Sequence, residues 1–169
     1  MNSIRDNTIA FQIKLYPDPI LRQRTSEVKE ITPDFLLAVE AITQILIENN
    51  ALGLAAQQIG YTGSIIGINT GVLARKGCNA IFKSPVIILA NPRILEKEGK
   101  VIDEEGCLSF PNLYLNIPRP SVVRIRGQMI VDNEFVWVEF TAKNLFARVL
   151  CHEIDHLNGM LFIDLVQNF

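Results

Sequence analysis

The stretch Cys151-His152-Glu153-Ile154-Asp155-His156 reads as HExxH, and its placement decides the fold. On a helix, four residues bring His156 to within about 40° of His152 and about 6 Å further along the axis. Both imidazoles can then reach one metal ion. Glu153, beside the first of them, can reach a water at the ion without occupying the metal itself. That is the geometry of metal-assisted hydrolysis. A helix with solvated or core histidines would carry the same letters, but both of the chain's two histidines fall in this motif, which favours metal.

Working outward, Asn144 can cap this helix and Gly159 can stop it in a left-handed conformation, which predicts a helix over 144–158. Phe146, Leu150, Ile154 and Leu157 form one stripe, and Leu145, Val149, His152 and His156 form another. A helix apolar on most of its surface belongs at the centre of a fold, so the metal is expected to be buried against a sheet.

Strands supply that sheet. The β-branched runs 64–69 and 86–91 read as strands, 93–98 and 100–103 suggest a hairpin about Gly99, and 114–117 is extended. Residues 121–126 and 134–140 alternate as an antiparallel pair joined around Asp132-Asn133. Near the start, Leu15 to Arg22 holds two prolines and is expected as an extended turn rather than a helix. Thr32-Pro33-Asp34 gives a cap, a proline at the first helical position and an acid in the first turn. Phe35, Leu36, Val39, Ile42, Ile45 and Leu46 then continue as an amphipathic helix over 33–49. Residues 51–60 hold small residues suited to a tight loop, and Gly71 to Pro85 is expected as an exposed loop. The expected class is α+β: antiparallel sheets packed around a central helix bearing HExxH, plus an N-terminal helix.

Size and charge narrow the rest. The 169 residues are expected to form one domain, 1–169, with 49% apolar and 20% charged residues. A net charge of −2 gives no electrostatic reason for nucleic acid, and no run approaches a membrane span. Met1 to Ala10 lacks the apolar core of a secretory signal and the Arg-rich character of a transit peptide. Three cysteines without a scaffold pattern suit a reducing compartment, so a cytoplasmic location is expected.

Two histidines leave an ion under-coordinated. A histidine six residues after His156 would complete a common peptidase site, but that position is Phe162, and too little chain follows for a distant glutamate. Asp164, a cysteine, or no metal at all remain. Cys151 lies about 100° around the helix from His152 and reads as a packed thiol. Cys107 follows an acidic run and a glycine in a strand-like context, and is favoured over Cys151 and Asp164. A thiolate with two imidazoles keeps a fourth position open, as catalytic sites do.

Three segments in order, Gly53-Leu54-Ala55-Ala56-Gln57-Gln58, Glu105-Gly106-Cys107-Leu108-Ser109 and His152-Glu153-Ile154-Asp155-His156, resemble the signature motifs of peptide deformylases. The resemblance extends to Tyr16-Pro17-Asp18-Pro19-Ile20-Leu21-Arg22 and Asn158-Gly159-Met160-Leu161-Phe162-Ile163-Asp164. It implies removal of the formyl group from N-formylmethionine at the start of new polypeptides, with release of formate. It implies that Cys107, His152 and His156 hold one divalent ion, usually iron(II) in the family, with zinc, nickel or cobalt able to replace it. It gives Glu153 the role of general base and acid, and Gln58 with the backbone N–H of Leu108 that of binding the oxyanion. By the same similarity Leu52, Gly53 and Val149 line the substrate site, while Asp155 braces a neighbouring segment.

The chain departs from the family pattern in places. Ala51 stands where glycine is frequent, Gln57 where proline or threonine is common, and Tyr114 where several bacterial members carry an arginine that binds peptide backbone. The sequence also ends soon after Asp164, without the further charged helix linked to ribosome docking, so a short form that does not dock directly is expected. The expected partners are formylated nascent peptides, and the expected state is a monomer.

Overall fold

The computed structural model describes residues 11–78 and 82–166. The reading of Met1 to Ala10 and of the last three residues falls outside them. Among the described residues, seven strands form two antiparallel sheets. The larger has the order β1 (Gly53–Ala55), β2 (Ile65–Ile68), β3 (Ile87–Glu98), β6 (Val122–Val131), β7 (Glu134–Lys143). The smaller pairs β4 (Val101–Cys107) with β5 (Phe110–Arg119).

Helices α1 (Pro33–Glu48) and α3 (Asn144–Leu157) lie on opposite faces of the large sheet, and the alternation of the strands records this. Ile66, Ile68 and Leu89 pack with Phe146, Leu150 and Ile154 of α3. Ile65 and Leu54 point the other way, to Phe35, Ala38, Ile42 and Leu46 of α1. Gly67 lets α1 approach, since a Cβ there would run into Ile42 and Leu46. A third cluster, of Leu21, Phe110, Ile117, Leu161 and Phe162, joins the small sheet to 3-10 turns at Pro19–Arg22 and Phe162–Leu165.

Local signals work as physics requires. Thr32 caps α1 by accepting from the Phe35 N–H at 3.2 Å, with Pro33 at the first position. Asp132 and Asn133, both at positive φ, make the two-residue turn between β6 and β7. Gly159 takes φ +72 just past α3, as expected.

Four expectations need correction. Residues 93–98 and 100–103 do not form a hairpin: β3 pairs with β2 and β6, while β4 pairs with β5. The polypeptide changes sheets at Gly99, where φ +68 turns it. The loop expected over 71–85 begins with helix α2 (Thr70–Arg75), capped by Asn69 accepting from the Val72 N–H at 3.0 Å. The prolines near the start do not exclude helix, because Pro19 opens a 3-10 turn at the position where its missing N–H costs nothing. Asn144 is the first residue of α3, at φ +54, and its side chain caps nothing; Lys143 holds the cap position.

Candidate active site and metal centre

Helix α3 crosses the sheet with its motif inward: His152, Glu153 and His156 are all buried. Cys107 ends β4, paired with Phe110 after the register with β5 slips between Gly106 and Cys107, an irregularity that breaks the strand's alternation at this residue. Its Sγ comes to 3.4 Å from Nε2 of His156. Ligand atoms of Cys107, His152 and His156 all lie within 4.8 Å of one another. One soft thiol and two imidazoles converging in this way suit a divalent transition metal with an open fourth position. The rival third ligands lie elsewhere. Cys151 sits in the core between α3 and the sheet, where burial pushes its thiol up to about 11. Asp164 accepts from Arg22, 2.5 Å away on the surface.

A charged network that sequence reasoning missed stands behind the cluster. Glu105 Oε2 lies 2.8 Å from Nδ1 of His152, which turns the other ring nitrogen toward the cluster. Arg119 donates to both oxygens of Glu105 at 2.7 and 3.0 Å, and Arg148 donates to Oε1 at 2.8 Å. Arg119 also bonds Asp155, the bracing role expected of that residue. Burial alone would raise the Glu105 pKa, but bonds from His152 and Arg119 outweigh it and hold the carboxyl at about 2. A signal for this network existed: Arg148 precedes His152 by one helical turn on an otherwise apolar helix, and a buried guanidinium requires a partner.

The two histidines have opposite settings in the metal-free protein. Burial disfavours charge on both. At His152 the bonds to Cys107 and Glu105 prevail and raise it to about 10, whereas His156 falls well below its ordinary value through burial. Glu153 is pushed up to about 7 by burial, against the pull of His152. Its Oε2 has no hydrogen-bond partner among the described residues.

Beside the cluster lies a cavity of about 720 Å³ lined by Leu52, Gly53, Gln58, Cys107, Leu108, Val149, His152 and Glu153. Every predicted site residue except His156 faces it, and His156 lies behind, 1% exposed. Tyr114 and Leu145 extend the lining. Gln58 is held in place by the Ala55 N–H, which donates to its Oε1 at 2.9 Å. Its Nε2 is thereby aimed at Ser109 Oγ, 3.1 Å away, and at Cys107 Sγ, 3.4 Å away. Gly53 is a close-approach glycine: a Cβ there would fall 2.5 Å from Glu153 Oε1.

Residues 10–169 match the family model described as polypeptide deformylase. The chain belongs to the peptide deformylase family. It is 35% identical over 157 residues to the peptide deformylase of Caldanaerobacter subterraneus subsp. tengcongensis, covering 93% of this chain and 89% of that one. The Halothermothrix orenii peptide deformylase is 39% identical over 155 residues, covering 92% of each. The crystal structure of the Thermotoga maritima peptide deformylase superposes with a TM-score of 0.79 at 29% identity, over 94% of this chain and 98% of that one. Peptide deformylases are metal-dependent hydrolases that remove the formyl group from newly made polypeptides, and membership gives this chain that activity. The α+β class and its antiparallel sheets agree with the deformylase fold. Among the described residues no helix is long and apolar enough to cross a membrane.

Proposed function

We propose that Cys107, His152 and His156 hold one divalent ion, and that Glu153, Gln58 and Leu108 act on the formamide of an N-formylmethionyl peptide in the adjoining cavity. The observation that carries this reading is the convergence of three ligand atoms within 4.8 Å at the wall of a cavity that Glu153 also lines. When bound, the ion would supply Lewis acidity, which in favourable sites lowers the pKa of a water from about 15.7 to about 7. A thiolate and two imidazoles accept several metals. Iron(II) is the proposed native ion, with zinc, nickel or cobalt as replacements.

The remaining steps belong to the protein. Glu153, buried beside the cluster and lining the cavity, is the carboxylate that would take a proton from water and return it to the departing amine. As the formyl carbon becomes tetrahedral, its oxygen gains charge, which the amide of Gln58 and the N–H of Leu108 would receive. The bare backbone at Gly53 lets the Glu153 carboxylate lie against β1 at the cavity wall. Leu52 and Val149 offer the methionine side chain apolar surface.

Among the described residues, β1 is the outer strand of the large sheet, β4 pairs with β5 alone, and residues of both line the cavity, which so runs between two unpaired sheet edges. An extended peptide can hydrogen-bond along such edges whatever its sequence, as an enzyme acting on many nascent chains requires.

Residues 1–169 are read as one domain, supported by the family match from 10 to 169. Three free cysteines support a reducing, cytoplasmic location, and the protein is taken as a monomer.

The test is anaerobic purification with metal analysis, followed by formate release from formyl-Met-Ala-Ser and by assay of its acetyl analogue. About one equivalent of metal and a strong preference for the formyl peptide are expected, and Cys107→Ser should lower metal content. Faster acetyl release, or full metal retention in Cys107→Ser, would overturn the assignment.

A further inference from the structure

The two histidines differ on their outer side. His152 Nδ1 has Glu105 as its partner, whereas His156 Nδ1 is buried and has none among the described residues. When a ring binds metal through one nitrogen, the other carries the proton and normally donates it to an acceptor that fixes the ring. Nε2 of His156 is the atom facing Cys107, so Nδ1 is the one in want of an acceptor.

Among the described residues, two buried side-chain oxygens also lack a partner: Glu153 Oε2 and Gln57 Oε1. Glu153 is turned toward Gly53 and the cavity. Gln57, 1% exposed, reaches the end of α3. Its Nε2 donates to the main-chain carbonyl of His156 itself and to that of Gln23 at 3.0 Å. These two carbonyls decide which end of the amide is nitrogen, and so leave Oε1 as a free acceptor tied to the residue that needs one.

Gln57 and Gln58 are neighbours on the 3-10 turn Ala56–Ile59, where successive side chains diverge by about 120°. Gln58 is aimed at Cys107 and Gln57 at the end of α3. One short turn thus reaches the two ligand-bearing elements from between them.

Resting on the metal site proposed above, we propose that Gln57 is a positioning residue for His156: it holds the His156 carbonyl through Nε2 and accepts the Nδ1 proton through Oε1, directly or across one water, when the ring binds metal. Loss of an outer acceptor of this kind typically weakens metal binding about 10- to 100-fold.

The test combines wild-type spectroscopy with two variants. In the zinc-loaded wild type, histidine-selective ¹⁵N NMR should show His156 ligating through Nε2, with an Nδ1 proton that exchanges slowly with solvent. Rapid exchange of that proton, or ligation through Nδ1, overturns the proposal without any variant. Gln57→Leu should raise the zinc dissociation constant at least tenfold in chelator competition, with KM for the formyl peptide unchanged. Gln57→Glu keeps an acceptor oxygen but loses the Nε2 donor to both carbonyls, so it should lower Tm yet lose less zinc affinity than Gln57→Leu. Equal losses in both variants, or a lower Tm in Gln57→Leu with unchanged zinc affinity, would show a merely structural amide and overturn it. A wild type that binds zinc and hydrolyses formyl peptide beside an unaltered Gln57→Leu sinks this inference alone; a wild type that binds no zinc at the cluster sinks the site reading with it.

Discussion

Glu105 of the small sheet and His152 of helix α3 are joined by a 2.8 Å contact between Oε2 and Nδ1, with Arg119 and Arg148 on the same carboxylate. Substituting Glu105→Gln removes the charge that neutralises two buried guanidinium groups, at a cost of about 3 to 5 kcal/mol. It should also weaken metal binding about 10- to 100-fold by loosening the His152 ring. Urea titration and chelator competition measure the two effects. The sign with pH follows: the carboxyl at about 2, against an ordinary 4.5, stabilises the fold fully above pH 4.5 and progressively less as pH falls toward 2. The variant should lack that acid slope.

Glu153→Gln should retain its metal and lose about 10²- to 10⁴-fold in turnover, the usual worth of a placed general base. In the metal-free protein the carboxyl at about 7 binds more protons folded than unfolded between pH 4.5 and 7, so native stability falls as pH rises through that window. The glutamine variant should flatten this fall. A variant with wild-type turnover would remove Glu153 from the mechanism.

Gly53→Ala should reduce activity at least tenfold while metal content stays constant, because the new Cβ would sit 2.5 Å from Glu153 Oε1 and displace it. Parallel metal analysis and formate release read the two quantities. Loss of metal in this variant would mean that the displacement spreads to the ligands.

Gln58→Leu should lower kcat by about 10²- to 10³-fold with little change in KM, since an oxyanion donor acts on charge that develops after binding. A change confined to KM would make Gln58 a substrate-binding residue instead.

The iron-loaded protein should lose activity in air faster than a nickel-loaded sample, because a thiolate at a redox-active ion is open to oxidation. Equal half-lives under aerated buffer would count against an iron–thiolate centre.

Elements governed by local rules were legible in the sequence. The caps and stripes of α1, the α3 stripes and the turn at Asp132-Asn133 depend on neighbours within a few positions. The pairing of β3 and β4 was not, because Gly99 permits a hairpin and a change of sheet alike, and only distant partners decide. The site divides in the same way. HExxH places two histidines through helical period alone, whereas Cys107, Glu105 and Arg119 come from segments more than 30 residues from the motif residues they meet. Cys107 was reached by elimination and by likeness. Gln57 stood out in the sequence only as a departure from the family's proline or threonine, because the carbonyl it bonds lies on a helix end 99 positions distant.

Cys107 closes one sheet while both histidines ride the helix laid across the other. An ion shared among them would therefore be a rivet between the two sheets as well as a reagent. Withdrawing it should free the hairpin of β4 and β5 to breathe, so that a protease added with a chelator would nick that hairpin before the rest of the chain.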